Sequence, residues 1–509
     1  MSQQRLGRRD VLKLTAAGTV GALAFSSTTG ARESPETQAS DAGEKLWSFE
    51  TDFGVMKSGP TIVDGTVYVG TRDGVLYVFD ATTGEKQWEF LTEGIINPSP
   101  TVIDDTVYIA SNDNSVYALP VDPEWEDGSA EEGDYLWRFE TDERDIHYED
   151  LNHIWGSPTV LDGTVYVGNN SGFVYAIDAE TGEQEWRFDE PKDWITTSPT
   201  VVDGTVYIGA GWDETDKHLY AIDAETGEEE WRFQAEGDIA SSATVADGTV
   251  YVGSHLTEQV DGEAAATSAS PNIDPETGDL TEGVTTQQEW EYYGWLHAVD
   301  AEDGTEEWTV EADGWIRGSP TVADGTVYVG SNDGLLHALE AETGESEWTF
   351  ATEGWIDESS PTVVNDTVFV ADIGSEIGGS VYGIDTATGE KEWQFETEAA
   401  GFRSSPTVVD GVLYIGSDAG HGGEDSNMYA IDTHVDCSSN GSRVELGTHG
   451  HHNVWAEYAA EDSDGDVSDY ADDDGNVQTD GLREAIDDWR GGDISTDLLR
   501  DVIDVWESS

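Results

Sequence analysis

A tandem repeat dominates this chain, and the copy at residues 157–188 shows its parts most clearly. Residues 164–167 and 173–177 of this copy are short runs of β-branched and aromatic residues, which favour β-strands. Turn residues separate the runs at residues 162–163, 170–172 and 180–183, and such residues join antiparallel strands in tight hairpins. Each copy is therefore predicted to be a four-stranded antiparallel meander, with strands A to D in chain order.

Eight copies of this unit are aligned by a Ser-Pro-Thr segment at the start of strand A. The proline position of this segment is occupied by Pro60, Pro100, Pro158, Pro199, Ala243, Pro320, Pro361 and Pro406. A tryptophan marks strand D, and the predicted structural docking residues are Trp47, Trp88, Trp137, Trp186, Trp231, Trp308, Trp348 and Trp393.

The eighth copy stops after strand C at residues 429–432, whereas residues 44–49 have the form of a strand D with no strands A to C before it. The N-terminal strand can therefore complete the last blade, which leaves no open sheet edge between the first and last repeats. The sequence predicts an all-β fold, an eight-bladed β-propeller of four-stranded antiparallel blades closed by the N-terminal strand.

The turn between strands C and D carries a family motif. Residues 178–183, with the sequence Asp-Ala-Glu-Thr-Gly-Glu, lead to Trp186, and similar segments precede other strand D tryptophans. The motif resembles the tryptophan-docking motif of pyrroloquinoline quinone (PQQ) propeller repeats, and the resemblance covers residues 41–437. That family contains quinone-dependent alcohol and sugar dehydrogenases as well as non-catalytic scaffolds of the BamB type. The resemblance therefore implies the fold more closely than the function.

Residues 1–31 have the features of an export signal. Arg8-Arg9 precede an apolar run at residues 14–25 and a small-residue cleavage site at residues 29–31. This segment is similar to a twin-arginine signal peptide, and its apolar run is too short to favour a transmembrane anchor. We expect an exported protein, extracellular or associated with the cell envelope, without a transmembrane anchor after signal removal.

The charge balance is extreme, with 107 acidic and 22 basic residues and a net charge of −85. At molar salt the Debye screening length falls to about 3 Å, so the repulsion between the carboxylates of such a surface is largely screened. We interpret the chain as a halophilic protein of haloarchaeal type. Its 19 Trp and 19 Tyr residues argue against a disordered acidic protein. The charge also excludes nucleic acid as a partner, and we expect a monomer.

Cysteine usage bears on the enzyme hypothesis. Cys437 is the only cysteine of the chain. The resemblance implies an adjacent cysteine pair at the cofactor of the quinone alcohol dehydrogenases, and a C-x-x-C-H site in their haem-linked forms. Neither can exist here, and no catalytic residue can be assigned. No cofactor is established by the sequence, although PQQ or calcium remain candidates.

The insertions predict a binding face. Residues 211–218, 255–290, 373–380 and 419–427 are predicted loops between strands B and C, and residues 141–155 connect strand D to the next strand A. All of these connections belong to one face, whereas residues 120–133 lie on the other. The crowded face also receives Trp194, Trp315 and Trp355, with Trp155 and Phe402 nearby. These aromatic residues either bind a ligand or plug the channel and pack between blades.

A second signal lies three residues before the proline position of strand A, where side chains should ring the central channel. The residues at this position are Lys57, Asn97, Trp155, Thr196, Ala240, Arg317, Glu358 and Arg403. Basic groups beside tryptophan suit an anionic planar ligand, such as PQQ, an acidic sugar or a carboxylate of a protein partner. Alternatively, the basic residues form ion pairs with acidic neighbours such as Glu358. The predicted ligand-binding residues are Lys57, Trp155, Trp194, Trp315, Arg317, Trp355, Glu358 and Arg403.

The pattern changes after the propeller, with a His-containing segment and acidic linker at residues 438–475 and a two-helix module at residues 476–507. His449 and His451 share one face of an extended segment and are candidate metal ligands. The two-helix module resembles a degenerate dockerin. Asp472 and Asp474 match part of its calcium loop, although the first and twelfth positions lack ligating carboxylates.

Three functional hypotheses follow. The first is an exported non-catalytic scaffold of the cell envelope or extracellular space, which presents its loop-rich face to a protein, small acidic molecule or glycan. The second is a PQQ-dependent dehydrogenase, a quinone-dependent oxidoreductase. The third is a propeller that binds an acidic polysaccharide, because exposed aromatic and basic residues serve protein and glycan recognition alike.

Overall fold

The computed structural model describes residues 43–434 with gaps at residues 52–58, 124, 126–133, 145–152, 213–215, 262–271, 274–279, 282–287, 375–377, 398–400 and 419–425. Only backbone is described between residues 258 and 290. The predicted signal peptide, Lys57 and everything after residue 434 lie outside the described residues. The latter part includes His449, His451, Asp472, Asp474 and the dockerin-like module. None of the described residues forms a helix that is long and apolar enough to cross a membrane.

The described residues form eight four-stranded antiparallel sheets, which confirms the predicted eight-bladed propeller. The first four blades contain β2 (Thr61–Val63), β3 (Thr66–Gly70), β4 (Val75–Asp80) and β5 (Lys86–Leu91); β6 (Thr101–Ile103), β7 (Thr106–Ser111), β8 (Ser115–Pro120) and β9 (Trp137–Glu140); β10 (Thr159–Leu161), β11 (Thr164–Gly168), β12 (Val174–Asp178) and β13 (Gln184–Phe188); and β14 (Thr200–Val202), β15 (Thr205–Gly209), β16 (His218–Asp223) and β17 (Glu229–Gln234).

The other four blades follow the same order of strands A to D. They contain β18 (Thr244–Ala246), β19 (Thr249–Asp261), β22 (Gln288–Asp300) and β23 (Glu306–Ala312); β24 (Thr321–Ala323), β25 (Thr326–Gly330), β26 (Leu335–Glu340) and β27 (Ser346–Ala351); β28 (Thr362–Val364), β29 (Thr367–Ala371), β30 (Ser380–Asp385) and β31 (Lys391–Glu396); and β32 (Thr407–Val409), β33 (Val412–Gly416), β34 (Asn427–Asp432) and β1 (Lys45–Glu50). A separate two-stranded pair consists of β20 (Asn272–Ile273) and β21 (Leu280–Thr281).

The N-terminal strand closes the ring, as the sequence predicts. Strand β1 pairs antiparallel with β34, so that Trp47 lies opposite Ala430 and Phe49 opposite Met428. Phe49 also packs on Phe79 of the first blade, with ring centroids 4.7 Å apart. The first and last repeats are therefore joined by backbone pairing and by a shared apolar core.

The Ser-Pro-Thr segment joins neighbouring blades. The threonine hydroxyl of each blade donates a hydrogen bond of 2.5–2.8 Å to the backbone carbonyl at the proline position of the next blade. The eighth of these bonds runs from Thr407 to Pro60 and completes the circle. A parallel series of backbone N–H groups donates to the serine hydroxyls of the next blade at 2.8–3.1 Å, from Gly59 to Ser405. Strand A is consequently the inner strand of every blade.

Replacing a ring threonine by valine should destabilise the fold measurably. Thr159 is 2 % exposed, and its hydroxyl lies 2.6 Å from the Pro199 carbonyl oxygen. Thr159→Val keeps the side-chain shape but removes this buried hydrogen bond, which should cost about 1 kcal/mol of unfolding free energy. Urea unfolding in molar salt measures the loss. The exposed Thr82→Val serves as the control, and equal effects of the two changes would contradict the role of the ring.

The strand D tryptophans lie against the C to D turn of the next blade. Six of them donate an indole N–H hydrogen bond of 2.7–3.0 Å to a backbone carbonyl of that turn, namely Trp47, Trp137, Trp186, Trp231, Trp308 and Trp348. Trp88 instead packs edge-on against Trp125, which belongs to the insertion at residues 120–133. Trp393 lies against Gly43, and its indole N–H has no hydrogen-bond partner among the described residues.

One predicted loop is wrong. Residues 255–290 of the fifth blade were expected to connect strands B and C, but β19 and β22 continue as a paired ribbon from Thr249 and Asp300 to Asp261 and Gln288. The extension contains Thr257, Tyr292 and Trp295, and β-branched and aromatic residues favour strands. The fifth blade therefore carries a long hairpin on the loop-rich face.

Candidate functional site

The predicted channel ring surrounds a small cavity. Its lining includes six of the eight predicted positions, which are Asn97, Trp155, Thr196, Ala240, Arg317 and Glu358, together with serines of the strand A ring. The cavity has a volume of about 30 Å³. A water molecule needs roughly 10–15 Å³ measured in this way, so the cavity has room for about two water molecules.

Several polar atoms in this cavity are buried. Asn97 is 3 % exposed and Thr196 is 5 % exposed. The Oδ1 atom of Asn97, the Oγ1 atom of Thr196 and the Nε atom of Arg317 have no hydrogen-bond partner among the described residues. Because buried polar atoms are almost always hydrogen-bonded, this set favours ordered water in the channel.

Arg317 lies between aromatic rings at the mouth of the channel. Its guanidinium carbon is 4.0 Å from the Trp315 ring centroid and 5.4 Å from that of Trp212. Its Nη2 atom is 3.3 Å from Nε2 of His255, which is 5 % exposed. The cation–π contacts hold the guanidinium against Trp212 of the fourth blade and Trp315 of the connection between the fifth and sixth blades.

Asp357 joins two of the predicted basic residues. One carboxylate oxygen lies 3.7 Å from Nη1 of Arg317, and the other lies 3.7 Å from Nη2 of Arg403. Asp357 is 6 % exposed. Both arginines therefore take part in ion pairs, as one interpretation of the sequence proposed, but their partner is Asp357 and not Glu358.

A tryptophan cluster continues this site across the third and fourth blades. The Trp194 and Trp212 rings are stacked, with centroids 5.5 Å apart, and Trp155 packs edge-on against both at 6.1 and 5.5 Å. Asp193 holds the cluster by accepting hydrogen bonds from the backbone N–H groups of Trp194 at 2.7 Å and Trp212 at 3.2 Å. We refer to Trp155, Trp194, Trp212, His255, Trp315 and Arg317 as the aromatic–arginine cluster.

The remaining predicted residues lie apart from this cluster. Trp355 is 60 % exposed, which makes it one of the most exposed large apolar side chains of the described residues. Arg403 is connected to the site through Asp357. Phe402, expected near the aromatic face, is instead fully buried and packs on Tyr429 inside the eighth blade.

Three residues of the site were missed from the sequence, namely Trp212, His255 and Asp357. Trp212 lies in the insertion at residues 211–218, which was predicted as a loop of the loop-rich face, and the tryptophan in this loop was the signal for it. Asp357 could have been found by counting from the isoleucine that precedes strand A in six of the eight blades. Three residues lie between Ile316 and Pro320, whereas four lie between Ile356 and Pro361, so the seventh blade carries an additional acidic residue at the ring.

The described channel residues do not fit an enclosed PQQ molecule. Pockets that enclose organic ligands usually measure about 300–1,000 Å³, whereas this cavity measures about 30 Å³. The two arginines that were predicted to bind the quinone carboxylates are engaged by Asp357. An organic ligand of the size of PQQ would consequently have to bind outside this cavity.

Comparison with known proteins gives a family match over most of the propeller. The family model described as "Outer membrane protein assembly factor BamB" matches residues 35–141, 126–288 and 292–434. The chain is 30 % identical over 171 residues to quinohemoprotein alcohol dehydrogenase ADH-IIG of Pseudomonas putida, which covers 31 % of this chain and 23 % of that protein. It is 32 % identical over 153 residues to serine/threonine-protein kinase AfsK of Streptomyces griseus, and this match covers 28 % of this chain and 17 % of that protein. The matches span less than a quarter of these relatives.

Solved structures show the same fold. BamB from Moraxella catarrhalis superposes with a TM-score of 0.53 at 17 % identity, covering 77 % of this chain and 98 % of that chain. A europium-containing methanol dehydrogenase gives a TM-score of 0.53 at 14 % identity, covering 76 % and 93 %. At these identities the similarity concerns the fold alone.

Proposed function

Because the chain belongs to the family of the outer membrane protein assembly factor BamB, we propose that it is an exported, non-catalytic β-propeller that binds a partner in the cell envelope or extracellular space. The twin-arginine signal expected at residues 1–31 provides the export route. The loop-rich face is the binding surface, and a protein with exposed carboxylate and apolar side chains is the partner that we favour.

The observation that carries this proposal is the arrangement of aromatic and basic residues on the loop-rich face. Arg317 is held by two tryptophan rings and by Asp357, and the exposed Trp355 lies in the same chain segment as Asp357. Tryptophan and arginine are the residue types that contribute most to protein interfaces. The exposed Trp355 and the Arg403 side chain, which remains 38 % exposed beside Asp357, suit a partner that carries a carboxylate next to an apolar side chain.

The dehydrogenase hypothesis has support from the relatives that are quinone alcohol dehydrogenases. The volume of the channel cavity and the pairing of both arginines with Asp357 weigh against it. The polysaccharide hypothesis uses the same exposed surface, so it is separated from protein binding only by experiment.

Changing the exposed part of this face should weaken partner binding. We expect Trp355→Ala/Arg403→Ala to weaken capture of an envelope protein by the mature chain in molar salt by about 30-fold, since a binding hot spot contributes about 2 kcal/mol. Affinity is measured by titrating the captured partner against immobilised wild type and variant. Leu136→Ala, which is 59 % exposed before strand D of the second blade on the opposite face, is the matched control. Equal binding by all three proteins would contradict the proposal.

The other two hypotheses are tested on the same proteins by tryptophan fluorescence. PQQ with calcium, or an acidic polysaccharide, is added to the mature chain in molar salt. Saturable quenching by PQQ that Arg317→Ala/Arg403→Ala abolishes would establish a quinone site and overturn the non-catalytic assignment. Saturable quenching by the polysaccharide that Trp355→Ala abolishes would identify a glycan as the partner. We expect neither ligand to produce saturable quenching.

A further inference from the structure

One position of the repeat changes character in the fifth blade. The third residue of the strand C motif is a tyrosine in six blades, at Tyr77, Tyr117, Tyr175, Tyr220, Tyr382 and Tyr429, and a histidine in two, at His297 and His337. His297 is completely buried. Burial lowers the pKa of its imidazole to about 4, so the ring is neutral at pH 7, with one nitrogen protonated and a lone pair on the other.

In five blades a cationic side chain of strand D lies over this tyrosine ring. The pairs are Lys45 with Tyr429, Lys86 with Tyr77, Arg138 with Tyr117, Arg232 with Tyr220, and Lys391 with Tyr382, at 5.4–6.0 Å from the ring centroid. Lys45, Lys86 and Lys391 each precede the strand D tryptophan by two residues. The residue at this position in the fifth blade is Glu306, a carboxylate where three other blades have a lysine.

A second carboxylate faces the same ring from the fourth blade. Nε2 of His297 is 3.6 Å from a Glu236 carboxylate oxygen, and Nδ1 is 3.7 Å from a Glu306 carboxylate oxygen. Burial, followed by the negative charge of Glu236, raises the pKa of Glu306. The ammonium group of Lys217 donates a hydrogen bond of 3.4 Å to the backbone carbonyl of Glu236. Among the described residues, neither carboxylate has an ion pair with lysine or arginine.

We propose that Glu236, His297 and Glu306 bind a divalent transition-metal cation between the fourth and fifth blades. One donor atom from each residue lies within 4.8 Å of the other two. In a tetrahedral site with bonds of roughly 2.1 Å the donors are about 3.4 Å apart. The two half-exposed glutamate side chains must therefore rotate, and the one that faces the other ring nitrogen must turn toward the nitrogen that binds the metal. A mixed imidazole and carboxylate set favours zinc, cobalt, nickel or copper over calcium and magnesium, which prefer oxygen ligands alone.

Two hydroxyl groups orient the histidine ring. The Ser254 hydroxyl is 2.9 Å from Nε2, and the Thr309 hydroxyl is 3.2 Å from Nδ1. The metal takes one ring nitrogen, and the other donates its proton to the hydroxyl beside it, which fixes the tautomer. The partly exposed glutamates leave a position for a water ligand.

The metal would connect two blades next to the functional site. Glu236 precedes Asp238, whose backbone exchanges two hydrogen bonds with His255 at 2.8 and 2.9 Å. His255 in turn contacts Arg317. A cation held by Glu236 and the fifth blade therefore stiffens the segment that positions the aromatic–arginine cluster.

The test is a Co²⁺ titration of the chelator-treated mature protein in molar sodium chloride with excess Mg²⁺, which occupies non-specific carboxylates. We expect one saturable equivalent with the visible absorption of tetrahedral Co²⁺, displaced by Zn²⁺. His297→Tyr introduces the residue of six sibling blades, so it should fold, and it should weaken Co²⁺ binding by about 100-fold or more. Glu236→Gln should weaken binding less strongly.

His337→Tyr is the matched control, because it makes the same exchange in the sixth blade and should keep full Co²⁺ binding. Metal-free unfolding midpoints of both tyrosine variants show whether the fold is intact. The proposal is overturned if Co²⁺ gives no saturable absorption. It is also overturned if His297→Tyr retains the absorption while His449→Ala/His451→Ala loses it.

Discussion

A chain that begins at Thr51 should fail to form a stable propeller, even though it retains eight copies of strands A to C. The missing strand contributes Trp47 and Phe49 to the apolar core between the eighth and first blades, and its loss exposes β34 as an unpaired edge. Removing a core aromatic side chain costs about 3–5 kcal/mol, so we expect a loss of more than about 5 kcal/mol. Near-ultraviolet circular dichroism and size-exclusion chromatography in molar salt should show lost tertiary packing and association.

Moving the strand should restore the fold. A permuted chain that places residues 43–50 after Thr433, through a turn with the sequence of residues 178–183, supplies the same strand from the other end. We expect its urea unfolding midpoint to approach that of the chain beginning at residue 41. A shortened chain that unfolds at the same urea concentration as its parent would show that the pairing of β1 with β34 is dispensable.

The closure was predictable because it depends on counting. An additional strand D precedes the first repeat, and the last repeat lacks its strand D. Pairing the first strand with the last repeat is the simplest way to complete the eighth blade. The long ribbon of β19 and β22 was not predictable in the same way. Its residues depart from the repeat, and short apolar runs in an insertion do not by themselves distinguish a loop from a strand extension.

The candidate site was predictable only in part, for a physical reason. The repeat register places Asn97, Thr196 and Arg317 at equivalent positions, and the structure brings all three to one cavity. Register does not determine which side chains meet across blades. The contact of Arg317 with Trp212 joins two blades, and the pairing of Arg403 with Asp357 depends on one additional residue in the seventh. Such contacts follow from tertiary geometry.

The Ser-Pro-Thr and Asp-Ala-Glu-Thr-Gly-Glu segments illustrate how a repeat encodes interfaces. Both segments were identified as recurring features, yet each acts on the neighbouring blade: the first through threonine and serine hydroxyls, the second through a carbonyl and a glycine below the tryptophan ring. A propeller blade cannot bury its faces alone, so its most regular residues are those that join it to the next blade.

The glycine of the docking turn gives the sharpest test of this principle. A Cβ atom at Gly227 would lie 2.7 Å from Trp186 Cδ2, whereas one at Gly204 meets no atom within 4 Å. Both residues have positive φ angles, +70° and +79°. Gly204→Ala should therefore cost only the backbone strain, about 1 kcal/mol, and Gly227→Ala about 2 kcal/mol more because the indole ring must move. Urea unfolding measures the free-energy cost of Gly204→Ala and of Gly227→Ala, each in the parent chain and in a chain that carries Trp186→Ala. Removing the indole should reduce the cost of Gly227→Ala to that of Gly204→Ala, and an unchanged cost would mean that docking is not the reason for the glycine.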